Sequence, residues 1–527
     1  MPDRAEIRDR LLRTARDRFG HHALHPGQEE AAAALLSGSD VLLIAPTGAG
    51  KSLVYQLAGL LLDGPTLVVS PLLALQHDQI EALEAVGLRA ARLSSAETEA
   101  QRAEALRAAV EGEVEFLFLS PEQLANEGVR ERVASLRPGL VAVDEAHCVS
   151  AWGHDFRPDY FRLGDLLAEV GDLAGRRPSV VAMTATAAPP VRDDVVERLR
   201  LVEPRTVVTG FARPELELVV RRVSDGVEQR RAVLETVAAQ DGAGIVYCRT
   251  RAGAEEYAAA LADIGREAAA YHAGMSGRRR DQVHEAFLAG RVDTVVATSA
   301  FGMGIDKPDV RFVVHAQAPE SPDTYYQEVG RAGRDREPAR GVLVFRPEDL
   351  ALGRFFAPGI PRRRDVQAVA QAERAGAGGV AGIGPRRLAR IRNLLELASH
   401  ARPDDDPVRA AIDLAEAHRF LERSRVDMLR AYAETDRCRM EFLVGYFGEE
   451  LGERCGSCDN CRAGVAPAPA EHDGPFALQS HVVHEEFGAG VVTDVEEDRL
   501  TVLFDEVGYR TLSLEVVVRE ELLRPSA

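Results

Sequence analysis

The sequence predicts an α/β protein with two tandem parallel-sheet lobes, followed by a helical module and a small C-terminal β module. Short apolar segments alternate with segments rich in Ala, Leu, Glu and Arg as far as Asp349, as expected for parallel strands covered by helices. Beyond Asp349 the strand pattern stops, and a helical pattern leads to a cysteine cluster. The expected domains are 1–206 and 207–350 for the lobes, 351–464 for the helical and cysteine-containing module, 465–474 for a linker and 475–527 for the β module.

The strands expected in the lobes are short and almost entirely apolar, and they are bounded by helix-like segments. In the first lobe they are Val41–Ala45, Thr66–Ser70, Val114–Ser120, Leu140–Val143 and Ser179–Thr184. In the second lobe they are Gly244–Tyr247, Ala268–Tyr271, Asp293–Thr298, Phe312–His315 and Gly341–Phe345. We expect the lobes to join near Val207–Pro214.

The charge of the chain is acidic and unevenly distributed. The formal net charge of -19 excludes a simple basic DNA-coating protein, because neutralising phosphates requires a concentrated positive surface. Glu471–Ala527 carries 13 acidic residues against four arginines, so nearly half of the excess lies in the last tenth of the chain. The N-terminus lacks the apolar core of a signal peptide and no eighteen consecutive residues are apolar, so we expect a cytoplasmic protein of the bacterial cytosol or nucleoid, with no membrane contact.

A phosphate-binding loop is predicted at A-P-T-G-A-G-K-S, Ala45–Ser52, between a strand and a helix. Backbone N–H groups of such a loop wrap the β- and γ-phosphates, the lysine reaches the same oxygens, and the hydroxyl ligates Mg2+. An ordinary glycine-rich turn is the alternative, and the flanking elements disfavour it. The presence of Lys51 also disfavours an ordinary turn, since the chain has only two lysines, Lys51 and Lys307. The residues expected to contact nucleotide and metal are Thr47, Gly48, Gly50, Lys51 and Ser52.

Two adjacent carboxylates follow the apolar strand Leu140–Val143. A phosphate-binding loop on a parallel sheet needs an acid at the end of a neighbouring strand to hold the metal, and Asp144 fits that position. Glu145 is then placed to orient and deprotonate the attacking water. An isolated Asp-Glu pair is usually a solvated surface feature, so the prediction depends on the strand and the upstream loop.

Two arginines are candidates for stabilising the charge that develops on the γ-phosphate. Q-E-V-G-R-A-G-R-D, Gln327–Asp335, places Arg331 and Arg334 three residues apart, so both can point from one helical face. A surface charge run is the alternative, but the intervening glycines are unusual in a solvated helix.

The segment Cys148–Tyr160, C-V-S-A-W-G-H-D-F-R-P-D-Y, directly follows the carboxylates and contains the only tryptophan of the chain, Trp152. Aromatic rings and the arginine plane stack on bases regardless of sequence. A core tryptophan is the alternative, and its Gly, His, Asp, Arg and Pro neighbours disfavour it. We therefore expect this loop to sense nucleic acid beside the hydrolytic site.

Together these motifs resemble the RecQ family of superfamily 2 helicases over about Phe19–Cys461. The resemblance also includes V-V-S-P-L-L-A-L-Q-H-D-Q (Val68–Gln79), M-T-A-T-A (Met183–Ala187) and V-V-A-T-S-A-F-G-M-G-I-D-K-P-D-V-R (Val295–Arg311). It implies two RecA-like lobes that clamp ATP and move single-stranded DNA across them in the 3′ to 5′ direction. Tailed duplex DNA is the implied substrate for strand separation.

The resemblance also implies roles for individual residues. The catalytic roles fall on Lys51, Asp144, Glu145, Arg331 and Arg334. Gln28 takes the role of reading the adenine, and DNA sensing falls on Trp152, Phe156 and Arg157. Further candidates for phosphate contacts are Ser70, Thr298 and Arg311.

The sequence departs from the family pattern near the adenine site. The family usually has a Tyr and an Arg where this chain has His21 and His25, in F-G-H-H-A-L-H-P-G-Q. Gln28 can still distinguish adenine by hydrogen bonds, but stacking on the base is weakened. We therefore expect looser ATP binding than in a His21→Tyr, His25→Arg variant.

Four cysteines have the spacing of metal ligands: Cys438, then sixteen residues, then Cys455, Cys458 and Cys461. A reducing cytosol disfavours disulfides, and four thiolates suit tetrahedral Zn2+. An iron–sulfur cluster also fits C-x2-C-x2-C. Resemblance to the RecQ zinc module favours a structural Zn2+. Upstream, Gly382–Leu397 is either a phosphate-contacting helical hairpin, a reduced helix-turn-helix element or a single amphipathic helix.

The C-terminal region departs from the family, which typically continues into a winged helix. Instead His481–Val495, Leu500–Leu512 and Val516–Leu523 are expected to form strands of a small barrel. It resembles the Tudor-like module of UvrD/PcrA-type helicases, which implies a protein partner such as RNA polymerase or a repair factor.

These features predict an ATP-dependent 3′ to 5′ DNA helicase or translocase of repair or recombination, with ATP, Mg2+ and Zn2+ as cofactors. Two alternatives remain open at this level. One is an RNA helicase, which the aromatic loop disfavours. The other is an ATP-driven remodelling or scaffold factor that acts through the acidic module.

Overall fold

The computed structural model describes residues 4–71, 73–94, 97–150, 158–302, 307–351, 353, 359–376, 379–402, 404–468 and 475–526. No helix within these ranges is long and apolar enough to cross a membrane. The chain divides into two compact units. The first comprises Met1–Gln317, Asp323–Phe345 and Arg437–Ala466, and the second comprises Ala318–Pro322, Arg346–Asp436 and Pro467–Ala527.

The first lobe is a parallel sheet whose strands are mostly buried on both faces. Its strands are β1 (Val41–Ile44), β2 (Thr66–Val69), β3 (Ala90–Leu93), β4 (Phe116–Leu119), β5 (Leu140–Val143), β6 (Ser179–Thr184) and β7 (Arg205–Val208). They lie in the order β3-β4-β2-β5-β6-β1-β7. The helices of this lobe are α1 (Arg4–Phe19), α2 (Pro26–Leu36), α3 (Lys51–Leu61), α4 (Leu73–Ala85), α5 (Glu99–Val110), α6 (Pro121–Ala125), α7 (Glu127–Ser135), α8 (Pro158–Phe161), α9 (Leu163–Ala174) and α10 (Pro189–Arg198).

Five of these strands lie where the sequence predicts them, and the two unexpected strands, β3 and β7, are the edges of the sheet. An edge strand is only partly covered, so its side chains need not be uniformly apolar. The exposed Arg205 and Thr206 of β7 illustrate this. Val207 and Val208 pair with β1, so the sheet extends two residues beyond the boundary expected at residue 206.

The second lobe is a parallel sheet of the same kind. Its strands are β8 (Leu216–Arg222), β9 (Ala243–Tyr247), β10 (Ala268–Tyr271), β11 (Thr294–Ala297), β12 (Val310–His315) and β13 (Ala339–Phe345), in the order β10-β11-β9-β12-β13-β8. Its helices are α11 (Gly226–Ala238), α12 (Arg251–Asp263), α13 (Gly277–Leu288) and α14 (Pro322–Val329). Five strands agree with the sequence prediction. The edge strand β8 was not expected.

The helical region between the lobes and the cysteines consists of α15 (Arg363–Arg374), α16 (Pro385–Ala401) and α17 (Pro407–Glu434). Pro385 and Pro407 are the first residues of α16 and α17, and Asp406 caps α17 by accepting a hydrogen bond from the Arg409 N–H. Arginines of α16 bind partners within this unit. Arg387 pairs with Asp365, Arg392 lies 3.4 Å from Glu373, and Arg390 donates to the Gly359 carbonyl at 2.6 Å. These contacts favour the amphipathic-helix interpretation of Gly382–Leu397.

The cysteine segment contains α18 (Arg439–Tyr446) and α19 (Asp459–Arg462) and belongs to the first unit with the lobes. Asp459 accepts a hydrogen bond from the Val220 N–H of β8 at 2.9 Å, and Arg462 pairs with Glu217 at 2.6 Å. The edge of the second sheet is therefore satisfied by the cysteine segment. The residues expected as one module, 351–464, are divided between the two units.

The C-terminal module is an antiparallel sheet in the order β17-β16-β15-β14-β18. Its elements are β14 (His481–His484), β15 (Gly488–Val495), β16 (Arg499–Phe504), β17 (Gly508–Ser513), α20 (Leu514–Arg519) and β18 (Leu523–Pro525). The expectation of a strand over Val516–Leu523 was wrong, since Leu514–Arg519 is helical and only Leu523 at its end pairs with β14. The helical turn directs Val517 into the core and leaves Val516 and Val518 exposed.

The module packs directly on α17. The Tyr509 N–H donates to the Ser424 hydroxyl at 2.9 Å. A Cβ at Gly508, whose φ is +72°, would lie 2.9 Å from the Leu421 Cα, so only glycine allows this approach. The β module is thus continuous with the helices of the second unit.

Candidate nucleotide site and cysteine cluster

The phosphate-binding loop links β1 to α3 at the carboxyl end of the first sheet. Gly48 and Gly50 have φ of +83° and +72°, which side-chain-bearing residues rarely adopt. Space restricts them too, since a Cβ at Gly48 would lie 3.0 Å from the Arg334 side chain and one at Gly50 would lie 2.5 Å from Gln28 Nε2. The loop is therefore shaped by both its backbone and its neighbours.

Lys51 and Asp144 face each other in this site. Lys51 Nζ donates to the Ala45 and Pro46 carbonyls at 2.8 and 3.3 Å. Enclosure lowers the pKa of Lys51, an effect that the nearby carboxylates of Glu145 and Asp144 oppose. Burial raises the pKa of Asp144, and Lys51 opposes that shift. Each group thus stabilises the charge of the other, and an incoming triphosphate would meet a lysine already held beside it.

Glu145 occupies a left-handed backbone conformation with φ of +48° at the end of β5. Such strain in a residue with a side chain is found preferentially at functional sites. His147 Nδ1 lies 3.4 Å from a Glu145 carboxylate oxygen and 2.8 Å from the Thr184 hydroxyl. Thr184 donates to the Thr186 carbonyl, and the Gln327 amide of the second lobe donates to the Thr186 hydroxyl at 3.1 Å. These contacts connect Glu145 to the segment that carries the two arginines.

The residues present fit a magnesium ion. Ser52 and Asp144 offer the hydroxyl and carboxylate oxygens that Mg2+ prefers, and both line the same cleft. Ser52 accepts a hydrogen bond from Gln79 at 3.3 Å, and Gln79 accepts one from Tyr55 at 3.1 Å. Gln79, the last residue of the segment Val68–Gln79, therefore orients the Ser52 hydroxyl.

Two clefts meet at the phosphate-binding loop. The smaller, about 350 Å³, is here called the phosphate cleft. Its charged lining residues are Lys51, Asp78, Asp144, Glu145, Arg331 and Arg334. The larger, about 820 Å³, is here called the base cleft and is lined by His25, Gln28, Thr209, Arg213 and Arg336 among others. Thr47, Gly48, Lys51 and Arg334 line both. Side chains from the two lobes therefore surround one continuous site.

Gln28 belongs to α2, and its buried side chain contacts the phosphate-binding loop as well as lining the base cleft. Its amide donates to the Ala49 and Gly50 carbonyls at 3.2 and 3.1 Å, and its carbonyl accepts from the His25 N–H at 3.0 Å. The predicted adenine contact is thus linked to the phosphate loop. His25 Nε2 lies 3.0 Å from Arg336 of the second lobe, whereas His21 is exposed. Arg336 was not among the predicted site residues, although it immediately follows the R-A-G-R-D motif.

The predicted DNA-sensing residues Trp152, Phe156 and Arg157 lie outside the described residues. The residues that flank them are anchored in the first lobe. Tyr160 is buried, and its hydroxyl donates to the Asp144 carbonyl at 3.3 Å. Ser150 is also buried and hydrogen-bonds Asp194 of α10. Both ends of the segment are therefore connected to the nucleotide site or its support.

The remaining predicted phosphate contacts are less accessible. Ser70 is fully buried. Arg311 Nη2 donates to both carboxylate oxygens of Asp335 at 2.6 Å, and the guanidinium also donates to the Pro308 and Pro338 carbonyls. These contacts indicate that Arg311, on β12, stabilises the second lobe rather than facing an open phosphate site. Thr298 is partly exposed just after β11, and so stays a candidate.

The four predicted metal ligands converge. The Sγ atoms of Cys438, Cys455, Cys458 and Cys461 all lie within 4.8 Å of one another, and those of Cys455 and Cys461 are 4.0 Å apart. Tetrahedral zinc with Zn–S bonds of about 2.3 Å places its sulfurs roughly 3.8 Å apart. Backbone N–H groups of Cys455 and Arg439 point at Sγ atoms of the cluster at 3.3 and 3.5 Å. The geometry fits one zinc ion held by thiolates.

Family models match three segments of the chain. They are DEAD/DEAH box helicase over residues 25–195, helicase conserved C-terminal domain over residues 228–336, and RecQ zinc-binding over residues 390–462. The ATP-dependent DNA helicase RecQ of Bacillus subtilis (strain 168) is 33% identical over 506 residues, which cover 95% of this chain and 76% of the relative. The chain belongs to the RecQ family. The zinc-binding model spans all four clustered cysteines, and the prediction of zinc as a cofactor is confirmed.

Other RecQ relatives extend beyond what this chain matches. The ATP-dependent DNA helicase RecQ of Haemophilus influenzae is 35% identical over 457 residues, covering 86% of this chain and 63% of the relative. The chain thus spans less than two thirds of that relative's length. Among solved structures, Mycobacterium smegmatis helicase Lhr bound to ssDNA and AMP-PNP aligns with a TM-score of 0.52 and 25% identity, over 81% of this chain and 57% of that one. The two-lobed fold of the RecQ chain is shared with this helicase.

Proposed function

We propose that this RecQ chain hydrolyses ATP in the phosphate cleft and couples hydrolysis to 3′ to 5′ movement on single-stranded DNA and to strand separation in repair or recombination. The observation that carries the proposal is the convergence of complementary charges from both lobes. Lys51, Asp144 and Glu145 come from the first lobe, and Arg331 and Arg334 come from the second. A site completed only by two lobes can convert nucleotide turnover into a change of their relative position.

Each residue has a chemical role in this proposal. Lys51 and the loop N–H groups bind the phosphates, and Ser52 and Asp144 hold Mg2+. Glu145 orients the attacking water and accepts its proton. Arg331, which is 6% exposed, and Arg334, which packs on Gly48, stabilise the charge on the transferred phosphate. Such arginines contribute roughly 10³-fold or more to phosphoryl-transfer rates.

DNA is the proposed track because the relatives named above are DNA helicases and the Cys148–Tyr160 segment matches the aromatic loop of the family. Tyr160 and Ser150 support a coupling role for this loop, since they tie its two ends to Asp144 and to α10. We expect the bases to stack on Trp152 and Phe156 in a way that tolerates any sequence.

The test compares ATP hydrolysis without nucleic acid, with single-stranded DNA and with single-stranded RNA, and then measures strand displacement on a 3′-tailed duplex. We expect DNA to stimulate hydrolysis more than RNA does, and Glu145→Gln to abolish both hydrolysis and displacement. Stronger stimulation by RNA would favour an RNA helicase. Translocation without displacement would favour a remodelling factor.

The acidic β module is proposed to bind a protein, either RNA polymerase or a repair factor. Its exposed acids include Glu485, Glu486, Glu497 and Asp498. A basic surface on the partner would complement them. We expect a Glu497→Arg, Asp498→Arg variant to lose binding to purified RNA polymerase in a salt-sensitive manner. Unchanged binding would direct the search to a repair factor or another surface.

A further inference from the structure

Helix α10 contacts three parts of the first unit: the M-T-A-T-A segment, the start of the Cys148–Tyr160 segment and the cysteine segment. At its start, Arg192 donates Nε to the Ala187 carbonyl at 3.0 Å, at the end of the M-T-A-T-A segment. Farther along, Asp194 hydrogen-bonds Ser150 at the base of the aromatic loop. The same Arg192 donates Nη2 to the Phe447 carbonyl of the cysteine segment at 2.8 Å. One arginine therefore joins the motif beside the catalytic carboxylates to the zinc-binding segment.

Phe447 lies in the joint between the two lobes. Its ring stacks on Phe211 with centroids 4.5 Å apart, and it meets Tyr326 of α14 edge-on at 5.0 Å. The Tyr326 hydroxyl donates to the Phe211 carbonyl at 2.8 Å, and the Glu449 carboxylate accepts from the Phe211 N–H at 3.3 Å. The cysteine segment thus packs on residues that join the two lobes, and Arg192 connects this segment to the first lobe.

The zinc ligands are close to this contact in the chain. Cys438 precedes α18, which has eight residues and ends at Tyr446, next to Phe447. α18 is almost entirely buried, so a displacement at its cysteine end is carried to Phe447 rather than absorbed by solvent-exposed residues. From Arg192 the connection continues through the M-T-A-T-A segment, whose Thr184 contacts His147 beside Glu145.

We propose that Arg192 is a positioning residue that couples the zinc-binding segment to ATP hydrolysis, by clasping Phe447 and Ala187 across the interlobe joint. The inference rests on the proposed ATPase function of the phosphate cleft. A guanidinium can hold two carbonyls at once because its donors form a rigid planar fork, whereas a lysine ammonium is a point charge on a flexible stem. Arg192 is not among the residues that line the phosphate cleft or the base cleft, nor is it one of the four clustered cysteines, so its effect is indirect.

The first test compares Arg192→Met, Arg192→Lys and the matched control Arg200→Met. Arg200 is an exposed arginine just beyond the same helix, ion-paired with Asp165. We expect Arg192→Met to lower the kcat of DNA-stimulated hydrolysis about tenfold, with KM for ATP and the bound zinc per chain within twofold of the starting protein. Arg192→Lys should recover part of the loss, and Arg200→Met should have no effect. Loss of zinc together with activity, or an unchanged kcat, would overturn the proposal.

The second test asks whether zinc and Arg192 act through one contact. Zinc is removed with a chelator from the starting protein and from Arg192→Met, and kcat, zinc content and hydrogen exchange at residues 185–188 are measured. If Arg192 couples the two segments as proposed, zinc removal lowers kcat and speeds hydrogen exchange in the starting protein. In Arg192→Met, zinc removal should cause little further change in either quantity. Equal and additive losses would overturn it. If chelation unfolds the segment, Phe447→Leu replaces it, with the same non-additivity expected.

Failure of the clasp is distinguishable from failure of the proposed function. If the starting protein hydrolyses ATP and Glu145→Gln does not, the proposed function stands, and the Arg192 results bear on the clasp alone. If neither hydrolyses ATP with DNA, the proposed function fails. The zinc and hydrogen-exchange measurements then still report whether Arg192 connects the cysteine segment to residues 185–188.

Discussion

At the scale of single residues, the nucleotide site is organised by opposed electrostatic demands. Asp144 is 8% exposed, and burial raises its pKa, whereas the pKa of Lys51 is lowered by the same cause. Burial disfavours the charged form of each group, and the opposite charge of the other group favours it. A bound metal and triphosphate would add further charges to the same enclosure, so the protonation state of Asp144 and metal binding must be linked.

Magnesium binding is predicted to weaken as the pH falls. Mg2+ requires the Asp144 carboxylate, and a raised pKa means that protonation begins above the usual aspartate range of about 4. As pH falls through the raised pKa, the apparent KM for Mg2+ in ATP hydrolysis should rise. Asp309→Asn, which removes an exposed carboxylate of the second lobe, is the control and should leave the pH profile unchanged. A Mg2+ KM that does not rise as the pH is lowered, or that rises equally in a variant lacking the Asp144 carboxylate, would contradict the assignment.

The His25–Arg336 contact alters what restoring the usual family residues should do. Arg336 already lies 3.0 Å from His25, so an arginine at position 25 would bring two guanidinium groups together. We expect the tighter ATP binding of His21→Tyr, His25→Arg to emerge fully only when Arg336→Gln is added. Nucleotide titration at fixed Mg2+ measures this. Equal affinities of the double and triple variants would count against it.

At the scale of elements, the chain from β5 to α8 joins Asp144 and Glu145, the proposed catalytic carboxylates, to the segment Cys148–Tyr160. Glu145 turns the chain through a left-handed conformation, and Tyr160 returns to bond the Asp144 carbonyl. The two ends of the segment are therefore fixed at the same place. We therefore expect a ligand bound to the residues between them to act on Asp144 and Glu145 through these two ends.

Trp152→Ala is predicted to lower DNA-stimulated hydrolysis more than hydrolysis without DNA. The reason is that a base-stacking residue contributes only when DNA is bound, at about 1–3 kcal/mol per base. ATPase rates with and without a saturating oligonucleotide measure the difference. Equal loss in both conditions would reduce Trp152 to a packing residue.

Arg311→Ala is predicted to affect the second lobe rather than DNA binding. Its ion pair with Asp335 and its hydrogen bonds to the Pro308 and Pro338 carbonyls hold the chain at the end of the R-A-G-R-D motif. We expect a lower melting temperature but an unchanged salt dependence of DNA affinity, because that slope counts phosphate contacts. A slope reduced by about one would show that Arg311 does contact a phosphate.

The sequence predicted the buried strands and the residues that line the phosphate cleft, because continuous apolar segments and motif spacing can be recognised locally. The edge strands β3, β7 and β8 were not predicted, since partial exposure leaves no continuous apolar run. Contacts such as Gln79 with Ser52 and Arg336 with His25 depend on long-range packing. The helix α20 was missed because three consecutive valines favour a strand locally, while the core accepts only Val517.

At the scale of the whole molecule, chain order does not match the compact units. The cysteine segment follows the helices α15 to α17 but packs with the lobes, while those helices pack with the β module. The physical cause is specific pairing, since the Asp459 carboxylate satisfies an edge N–H of β8 and Gly508 permits close packing on α17. Neither contact has a signature in the linear pattern of apolar residues.

Zinc removal is predicted to destabilise the first unit selectively. The thiolates anchor α18 and the turn at Phe447, both of which belong to that unit, and zinc sites contribute directly to folding free energy. The only tryptophan lies in the same unit, so its fluorescence reports that transition. Chelation should lower the melting temperature seen by fluorescence and leave the second unit unchanged by hydrogen exchange. A parallel loss of protection in both units would contradict this selectivity.

The scarcity of lysine has a consequence for chemical labelling. Lys307 is buried and paired with Asp309 at 3.0 Å, and Lys51 is partly buried inside the phosphate cleft, so neither ε-amine is exposed on the surface. An acylating reagent therefore reaches Lys51 only by entering the cleft. The rate of Lys51 acylation, measured optically or by mass spectrometry, therefore reports whether the phosphate cleft is occupied, without any ATP hydrolysis.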